Sequence, residues 1–441
     1  MNHGAPADGA PPLGWGGIVR LGLVQAMLGA VVVLVTVTMN RVMLVELHLP
    51  AALPAFLVAL QYFVQVIRPA MGHGSDRGGR RAPWIRGGVL LMAGSALLAA
   101  ESLALIGAGS RGAGIALAVL AYALIGIGVG MAGTALLALL GHAVAPSRRA
   151  SAAAVVWMMM IAGIAVCAGL AGHALTPFSL HQLFVVTGVV GGLAVAIAIL
   201  ATAGIERRSG IPAAIRNGSA LSPTLAAALA QAWRDPAARR FTLFVALSML
   251  AYSAEEILLE PFAGFVFSWP PGSTAQLTGQ QHGGALAGML LVALLSPWRW
   301  SPPVRHWVLG GCVLSAAALL ALAACALSGQ SALLSPLVLL LGLGNGVFAV
   351  AAIGAMMQMA GRRGGGVRIG LWGAAQALAM GAGDLGAGIA MQAAMRFLSA
   401  PSSAFAILLG LEAVLFGTAA WQSVRVFGGG AFAPAVREAV G

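Results

Sequence analysis

The chain contains no lysine, and all 24 of its basic residues are arginine. A nucleotide-binding P-loop needs a lysine to reach the phosphates, so ATP-driven pumping by this chain is not expected. Aspartate is also scarce, with four scattered residues. That scatter removes the paired aspartate-rich segments with which a prenyl transferase holds magnesium diphosphate. No dinucleotide fingerprint opens a βαβ unit, and the chain is therefore predicted not to be an enzyme.

Charge and cysteine are sparse as well. Only 8% of residues are charged, whereas 60% are hydrophobic and the mean hydropathy is +0.93. No ordinary soluble domain has this composition, so we predict an integral protein of the lipid bilayer. Cys167, Cys312 and Cys325 fall inside hydrophobic runs, without metal-ligand or disulfide spacing. The net charge of +12 lies in short loops, where it sets topology, and we predict no nucleic-acid partner.

Hydrophobic runs long enough to cross a bilayer recur along the chain. A transmembrane helix needs about 20 apolar residues, and this length divides the sequence into twelve predicted spans. They lie at 16–40, 51–71, 87–108, 113–140, 151–176, 183–204, 241–266, 277–297, 307–328, 332–360, 367–395 and 401–427. The sequence therefore predicts an all-α integral membrane protein with twelve transmembrane helices.

A repeated glycine pattern predicts that these spans form two six-helix halves. Its two copies, 216 residues apart, are Gly126-x-Gly128-x-Gly130 and Gly342-x-Gly344-x-Gly346. A repeat of half the chain length in the same orientation is typical of two parallel halves. The predicted organisation is a disordered cytoplasmic tail (1–15), an N-terminal half (16–204), a cytoplasmic linker (205–240), a C-terminal half (241–427) and a cytoplasmic tail (428–441).

The arginines predict the orientation. Only Arg41, Arg111 and Arg396 lie on one side of the predicted membrane, and the other 21 lie on the opposite side. Basic residues favour the cytoplasmic side of a membrane protein, so both termini are predicted to be cytoplasmic.

Acidic residues within the spans are candidate functional residues, because a charge in lipid is costly unless it faces the protein interior. These residues are Glu101, Glu255, Glu256, Glu260, Asp384 and Glu412. Glu256 and Glu260 share one helix face, since they are four residues apart. They fit either a polar site that titrates protons or contacts magnesium, or hydrogen bonds at a helix interface. For Glu412 we favour the second interpretation, for instance a hydrogen bond to a serine.

The loop after the second span packs arginines, glycines and an aspartate into ten residues, 72–81. Its Gly-x-x-Ser-Asp-Arg-x-Gly-Arg-Arg spacing resembles the loop between the second and third helices of the major facilitator superfamily. The residues that carry this structural motif are Gly72, Asp76, Arg77, Gly79, Arg80 and Arg81. Asp76 is predicted to pair with a nearby arginine, for which Arg149 is a candidate, and to close the cytoplasmic face of the first half.

Three segments carry a narrower resemblance. They are Thr38–Leu47, the stretch from Arg68 to Ile85 and the Leu-Leu-Glu-Pro-Phe of residues 258–262. Together they resemble the PucC/LhaA family, the bacteriochlorophyll delivery branch of the major facilitator superfamily, over essentially the whole chain. The loop looks closest to members labelled a 44.5 kDa chain of bacteriochlorophyll synthase. The resemblance implies assembly of light-harvesting complexes in the photosynthetic, intracytoplasmic inner membrane.

The resemblance also implies a cargo and partners. Bacteriochlorophyll or a late precursor would be held without a covalent bond and passed to light-harvesting antenna polypeptides, or between enzymes such as bacteriochlorophyll synthase and geranylgeranyl reductase. The candidate pigment-site residues are Arg41, Glu46, Glu256, Glu260 and Asp384, and no bound metal is predicted. Two alternatives stay open: a proton-coupled transporter of a small solute, and a pigment-free scaffold that stabilises a pigment-biosynthesis enzyme.

Overall fold

A computed structural model describes residues 12–39, 42–49, 52–77, 80–175, 179–208, 224–269, 271–295, 303–360, 365–398 and 400–428. Within these ranges the secondary structure is helical throughout, with no strand. The helices are α1 (Trp15–Val33), α2 (Ala52–Phe63), α3 (Arg68–Arg77), α4 (Ala82–Gly107), α5 (Arg111–Ala143), α6 (Arg149–Ala174), α7 (Leu180–Thr202), α8 (Ile205–Arg208), α9 (Leu225–Arg234), α10 (Pro236–Phe267), α11 (Pro271–Leu295), α12 (Val304–Ser328), α13 (Leu334–Ala360), α14 (Gly365–Phe397) and α15 (Pro401–Gly428).

The twelve predicted spans correspond to long helices. The second span joins α2 and α3 through a short 3₁₀ turn, and the first continues beyond α1 as a π-helical turn, Leu34–Met39. Among the described residues, nine helical stretches are long and apolar enough to cross a membrane. The three long helices outside that set are α10, α11 and α14. They are more polar, because α10 and α14 carry acidic residues and α11 carries several glutamines. Polar spans of this kind are expected to face protein or water rather than lipid.

Residue contacts divide the chain into two compact units. The first comprises Met1–Leu229 and Met356–Ala374, and the second comprises Ala230–Ala355 and Ala375–Gly441. The first ten residues of α14 therefore pack with the first unit, although the rest of that helix belongs to the second.

In the first unit, the glycine triplet of α5 lets helices approach until their backbones touch. A side-chain carbon at Gly126 would overlap the carbonyl oxygen of Gln61 in α2. One at Gly128 would lie 2.7 Å from the carbonyl oxygen of Gly88 in α4. Only glycine fits such a contact, so the motif sets the separation of α5 from α2 and α4.

In the second unit, the glycine triplet of α13 has the same role. A side-chain carbon at Gly342 would overlap the carbonyl oxygen of Gln281, and one at Gly346 that of Ala285, both in α11. At Gly344 it would lie 2.6 Å from the hydroxyl of Ser315 in α12. The two copies of the motif thus make equivalent close contacts, each with a glutamine carbonyl of an earlier helix.

Candidate functional site

The predicted loop motif forms a polar junction in the first unit. Asp76, near the end of α3, accepts hydrogen bonds from the backbone N–H groups of Gly366 (2.8 Å) and Val367 (3.3 Å). These are among the first residues of α14, whose N-terminus carries unpaired N–H groups and a partial positive charge. Asp76 therefore caps a helix that begins about 290 residues later in the chain.

The same carboxylate pairs with an arginine. Its other oxygen accepts from the guanidinium of Arg81 at 2.9 Å, and the Arg81 side chain is buried. The prediction that Asp76 pairs with an arginine is therefore confirmed, but the partner is Arg81. Arg149, the predicted candidate, donates from its Nε to the carbonyl of Val144 at 3.2 Å. Arg81 lies closer in sequence, five residues after Asp76.

Glycines make this junction compact. A side-chain carbon at Gly72 would overlap the carbonyl of Gly366, and one at Gly366 would lie 2.6 Å from the Asp76 carboxylate. A side-chain carbon at Gly370 would likewise overlap the carbonyl of Arg68. The Arg68 guanidinium reaches across to donate to the carbonyl of Gly373 at 3.2 Å. The backbones of α3 and early α14 consequently touch, and Asp76 reaches the helix terminus without strain.

A second carboxylate, which the sequence analysis did not single out, completes the junction. Glu206 in α8 accepts hydrogen bonds from the backbone N–H groups of Arg81 and Ala82, at the start of α4. The chain around it lines a cleft of about 260 Å³ that also includes Arg80 and Arg86. In the sequence, the arginines that follow Glu206 indicate only a cytoplasmic position. The capping role of Glu206 depends on a contact between distant segments, which the sequence does not reveal.

The motif residues thus have different environments. Gly72 and Arg81 are buried, Asp76 is half-buried, and Arg77 and Arg80 are exposed. Gly79 lies outside the described residues.

The second unit holds a buried polar network around Glu255. Its carboxylate, 1% exposed, accepts hydrogen bonds from the side-chain amides of Gln281 and Asn345. Ser315 in turn donates to the amide oxygen of Asn345 at 2.7 Å. These four side chains come from α10, α11, α13 and α12, so the network joins four helices inside the bundle. The two amide donors bind one oxygen of this buried carboxylate and offset part of the cost of removing it from water.

The glycine triplet explains how the network forms. Asn345 lies between Gly344 and Gly346, the positions at which α13 approaches α12 and α11 most closely. The close approach brings its amide within reach of both Ser315 and Glu255. The triplet was visible in the sequence, and the asparagine within it is the signal that could have pointed to this site.

The predicted pigment-site residues are scattered. Glu46 is exposed at the end of the π-helical segment Val42–Glu46 in the first unit, whereas Asp384 is half-buried on α14 in the second. Arg41 lies outside the described residues. Glu256 and Glu260 lie on α10, but their side chains fall outside the described part of the structure.

The structure corrects our expectation for Glu412. The residue is 3% exposed in α15, and neither carboxylate oxygen has a hydrogen-bond partner among the described residues. The predicted hydrogen bond to a serine is therefore wrong for this packing. Glu101, the acidic residue of the third span, is exposed on the outer face of α4.

The fold and these helix contacts define a class of protein. The structure resembles a bacterial homologue of the iron transporter ferroportin in its outward-facing state, with a TM-score of 0.74 and 17% identity over 93% of this chain and 99% of that one. It also resembles the major facilitator superfamily transporter FucP, with a TM-score of 0.70 and 14% identity over 93% of this chain and 98% of that one. This is the fold of the major facilitator superfamily, with twelve transmembrane helices in two six-helix halves.

The family follows from sequence comparison. The family model described as PUCC protein matches residues 38–429, and the chain belongs to the PucC family. The bacteriochlorophyll synthase 44.5 kDa chain of Rhodobacter capsulatus is 47% identical over 94% of this chain and 96% of that protein. Protein PucC of the same organism is 30% identical over 84% of this chain and 83% of that protein. The resemblance read from the loop and the two other segments is confirmed. The protein is a multi-pass membrane protein of a family whose members carry names linked to bacteriochlorophyll.

Proposed function

We propose that the protein is a non-enzymatic assembly factor of bacterial photosynthesis that binds bacteriochlorophyll or a late precursor. It passes the pigment to light-harvesting polypeptides, or between terminal biosynthetic enzymes such as bacteriochlorophyll synthase and geranylgeranyl reductase. The observation that carries the proposal is the 47% identity, across nearly the full length of both chains, to a protein named as a bacteriochlorophyll synthase chain. The membrane is the photosynthetic inner membrane.

The described residues limit where a pigment could bind. Two clefts in the first unit have volumes of about 260 and 390 Å³. Pockets for drug-sized ligands span about 300–1,000 Å³, so both clefts are small for a tetrapyrrole with its hydrocarbon tail. The Glu255 carboxylate is already hydrogen-bonded to two protein amides. The pigment-site residues that we propose are the polar set predicted from the sequence: Arg41, Glu46, Glu256, Glu260 and Asp384.

Purification from a photosynthetic host tests this proposal. A pigment-binding protein carries a near-infrared chlorin absorption band, and mass spectrometry of the same sample identifies the pigment. Glu260→Gln is expected to remove the band while the protein stays folded and abundant. The matched control is Glu101→Gln, which changes an acidic residue on the exposed face of α4 and should keep the band. Colourless protein that co-purifies with a biosynthetic enzyme would instead favour the scaffold alternative.

The Glu255 network favours a second candidate function, proton-coupled transport of a small solute. A carboxylate inside a membrane protein is a common proton carrier, and Glu255 lies within a long helix with polar side chains from three neighbours. Solute uptake driven by a proton gradient in vesicles, lost in Glu255→Gln, would support this function. Coloured protein without such uptake would oppose it.

The proposal includes an orientation with both termini in the cytoplasm. It rests on the asymmetric distribution of arginine. A reporter fused after Arg216 should be cytoplasmic, and one inserted near Gly272 should be periplasmic. Both reporters on one side would contradict the twelve-span topology.

A further inference from the structure

Glu412 lies in the middle of α15, on the face that packs into the second unit. Its neighbours along this face are the buried residues Leu408, Leu409, Ala413 and Phe416. The residue is 3% exposed. Both of its oxygens lack a hydrogen-bond partner among the described residues. The carboxyl group is thus buried on an apolar helix face without a hydrogen bond among the described residues.

Among the described side chains of the helices that pack against α15, none is a buried cation. α15 packs against α12 and α10, and Phe416 contacts Phe348 of α13 edge to face, with ring centroids 6.2 Å apart. The buried titratable side chains described on α10 and α12 are Glu255, Cys312 and Cys325. The basic side chains described on these two helices are exposed, and they are Arg239, Arg240, Arg305 and His306. The sequence of α13 contains no titratable residue. On α10 the side chains of Glu256 and Glu260 fall outside the described part, and both are acidic.

Energetics decide the ionisation state of this group. An ionised carboxylate without a partner in an apolar medium costs many kcal/mol, whereas an unpaired neutral polar group costs about 1–3 kcal/mol. The neutral acid is therefore the form that this packing can hold. A leucine would fill the same space at lower cost, so the carboxyl group adds nothing to the packing itself.

We propose that Glu412 is a proton-binding site of the second unit. It holds a proton in the packing described here, and it ionises when unfolding exposes the carboxyl group to water. The site is separate from the Glu255 network, whose carboxylate is stabilised by amide donors. It is also independent of pigment binding, because the ligand is the proton.

Infrared spectroscopy of the purified full-length protein tests the protonation state. A buried neutral acid gives a carboxylic carbonyl stretch above the amide band, and this stretch moves to lower frequency in heavy water. At neutral pH the wild-type protein should show one such band that Glu412→Gln lacks. The matched control Glu101→Gln should leave that band in place. A difference spectrum that shows loss of ionised carboxylate in Glu412→Gln, with no acid band, would overturn the proposal.

Proton release on unfolding gives a second, independent measurement. A glutamate in an unfolded chain has a pKa of about 4.3, so it ionises at neutral pH once the bundle opens. Denaturation of the wild-type protein in weak buffer should then release one more proton per molecule than denaturation of the variant. Glu412→Leu serves as a second variant, since an apolar side chain suits these surroundings even if the amide of glutamine is poorly tolerated. Equal proton release from wild type and both variants would contradict the assignment.

Discussion

Two pairs of acidic side chains, one pair in each unit, lie in different environments. In the first unit, Asp76 and Glu206 lie at helix ends, where each accepts hydrogen bonds from the first N–H groups of another helix. In the second unit, Glu255 and Glu412 are buried within long helices. A carboxylate at a helix end fixes the path of the chain, because it compensates unpaired donors and a partial positive charge. A carboxylate inside the bundle stores a group that can bind a proton or a ligand.

Apart from these carboxylates, the two units have equivalent helix contacts at their glycine triplets. Each unit uses a glycine triplet to bring a central helix against the carbonyl of a glutamine, Gln61 in one and Gln281 in the other. The residue between the second and third glycines is Val129 in the first unit and Asn345 in the second. The asparagine donates a hydrogen bond to Glu255, so the polar residue between these two glycines is part of the buried network. The shared contacts set the helix packing, and the asparagine adds a polar network to the second unit.

The largest expected effect is the loss of the Glu255 carboxylate. Glu255→Ala leaves the amide donors of Gln281 and Asn345 unpaired, and each unpaired buried donor costs about 1–3 kcal/mol. We therefore expect a fall of roughly 2–6 kcal/mol in the free energy of unfolding, measured by denaturant titration in detergent. Glu255→Gln keeps an acceptor and should lose much less. A stable Glu255→Ala would mean that the network does not hold the second unit together.

The next largest effects are expected from glycine substitutions, which test whether the close helix contacts of the two glycine triplets are equivalent. Gly126→Ala and Gly346→Ala each drive a methyl group into a backbone carbonyl and should cost about 1–3 kcal/mol. Gly133 on α5 has no neighbour within 4 Å of the added carbon, so Gly133→Ala is the matched control. It should be neutral, or more stable by up to about 1 kcal/mol, because alanine favours a helix. Thermal unfolding of the three variants separates these outcomes, and similar losses in all three would show that the close contacts are not decisive.

A smaller effect is expected at Asp76. Asp76→Ala removes the cap of α14 and the partner of Arg81, and loss of a helix cap costs about 0.5–2 kcal/mol. The protein level in the membrane should fall, and pigment assembly should fall with it. Asp235 caps α10 by accepting from the N–H of Ala237, which makes Asp235→Ala the matched control for a simple cap. An assembly defect in Asp76→Ala that exceeds the defect of Asp235→Ala would assign the junction a role beyond capping.

Sequence patterns predicted the spans and the Asp76 motif because these depend on local properties. Hydropathy over about 20 residues defines a span, and glycine with aspartate defines a tight polar turn. The partners of these residues depend on how distant helices meet. Asp76 binds the start of α14, and Glu206 binds the start of α4, contacts between residues about 290 and 125 positions apart.

Buried residues were harder to predict, because the sequence does not give the orientation of each helix about its own axis. The i, i+4 spacing predicts that Glu256 and Glu260 share one face, but spacing alone does not say which face of α10 packs inward. The structure buries Glu255, the neighbouring residue, against the side-chain amides of Gln281 and Asn345, which come from two other spans. For Glu412, the sequence offered serines as partners, and the packing surrounds it with apolar side chains instead.

The smallest expected effect lies at Glu206, and it distinguishes a helix-end carboxylate from a buried one. Glu206→Gln keeps an oxygen that can accept from the N–H groups of Arg81 and Ala82, but it removes the negative charge at the start of α4. The charge–dipole interaction is worth about 0.3–1 kcal/mol at low ionic strength. Since Glu206 is half-buried beside a cleft, salt should screen this contribution. The wild-type protein and the variant should therefore differ in melting temperature at low salt and converge at high salt.

For Glu255→Gln any difference should persist at every salt concentration, because that carboxylate is 1% exposed. A salt-independent difference at Glu206 would place it with the buried acids and remove the contrast between the two units.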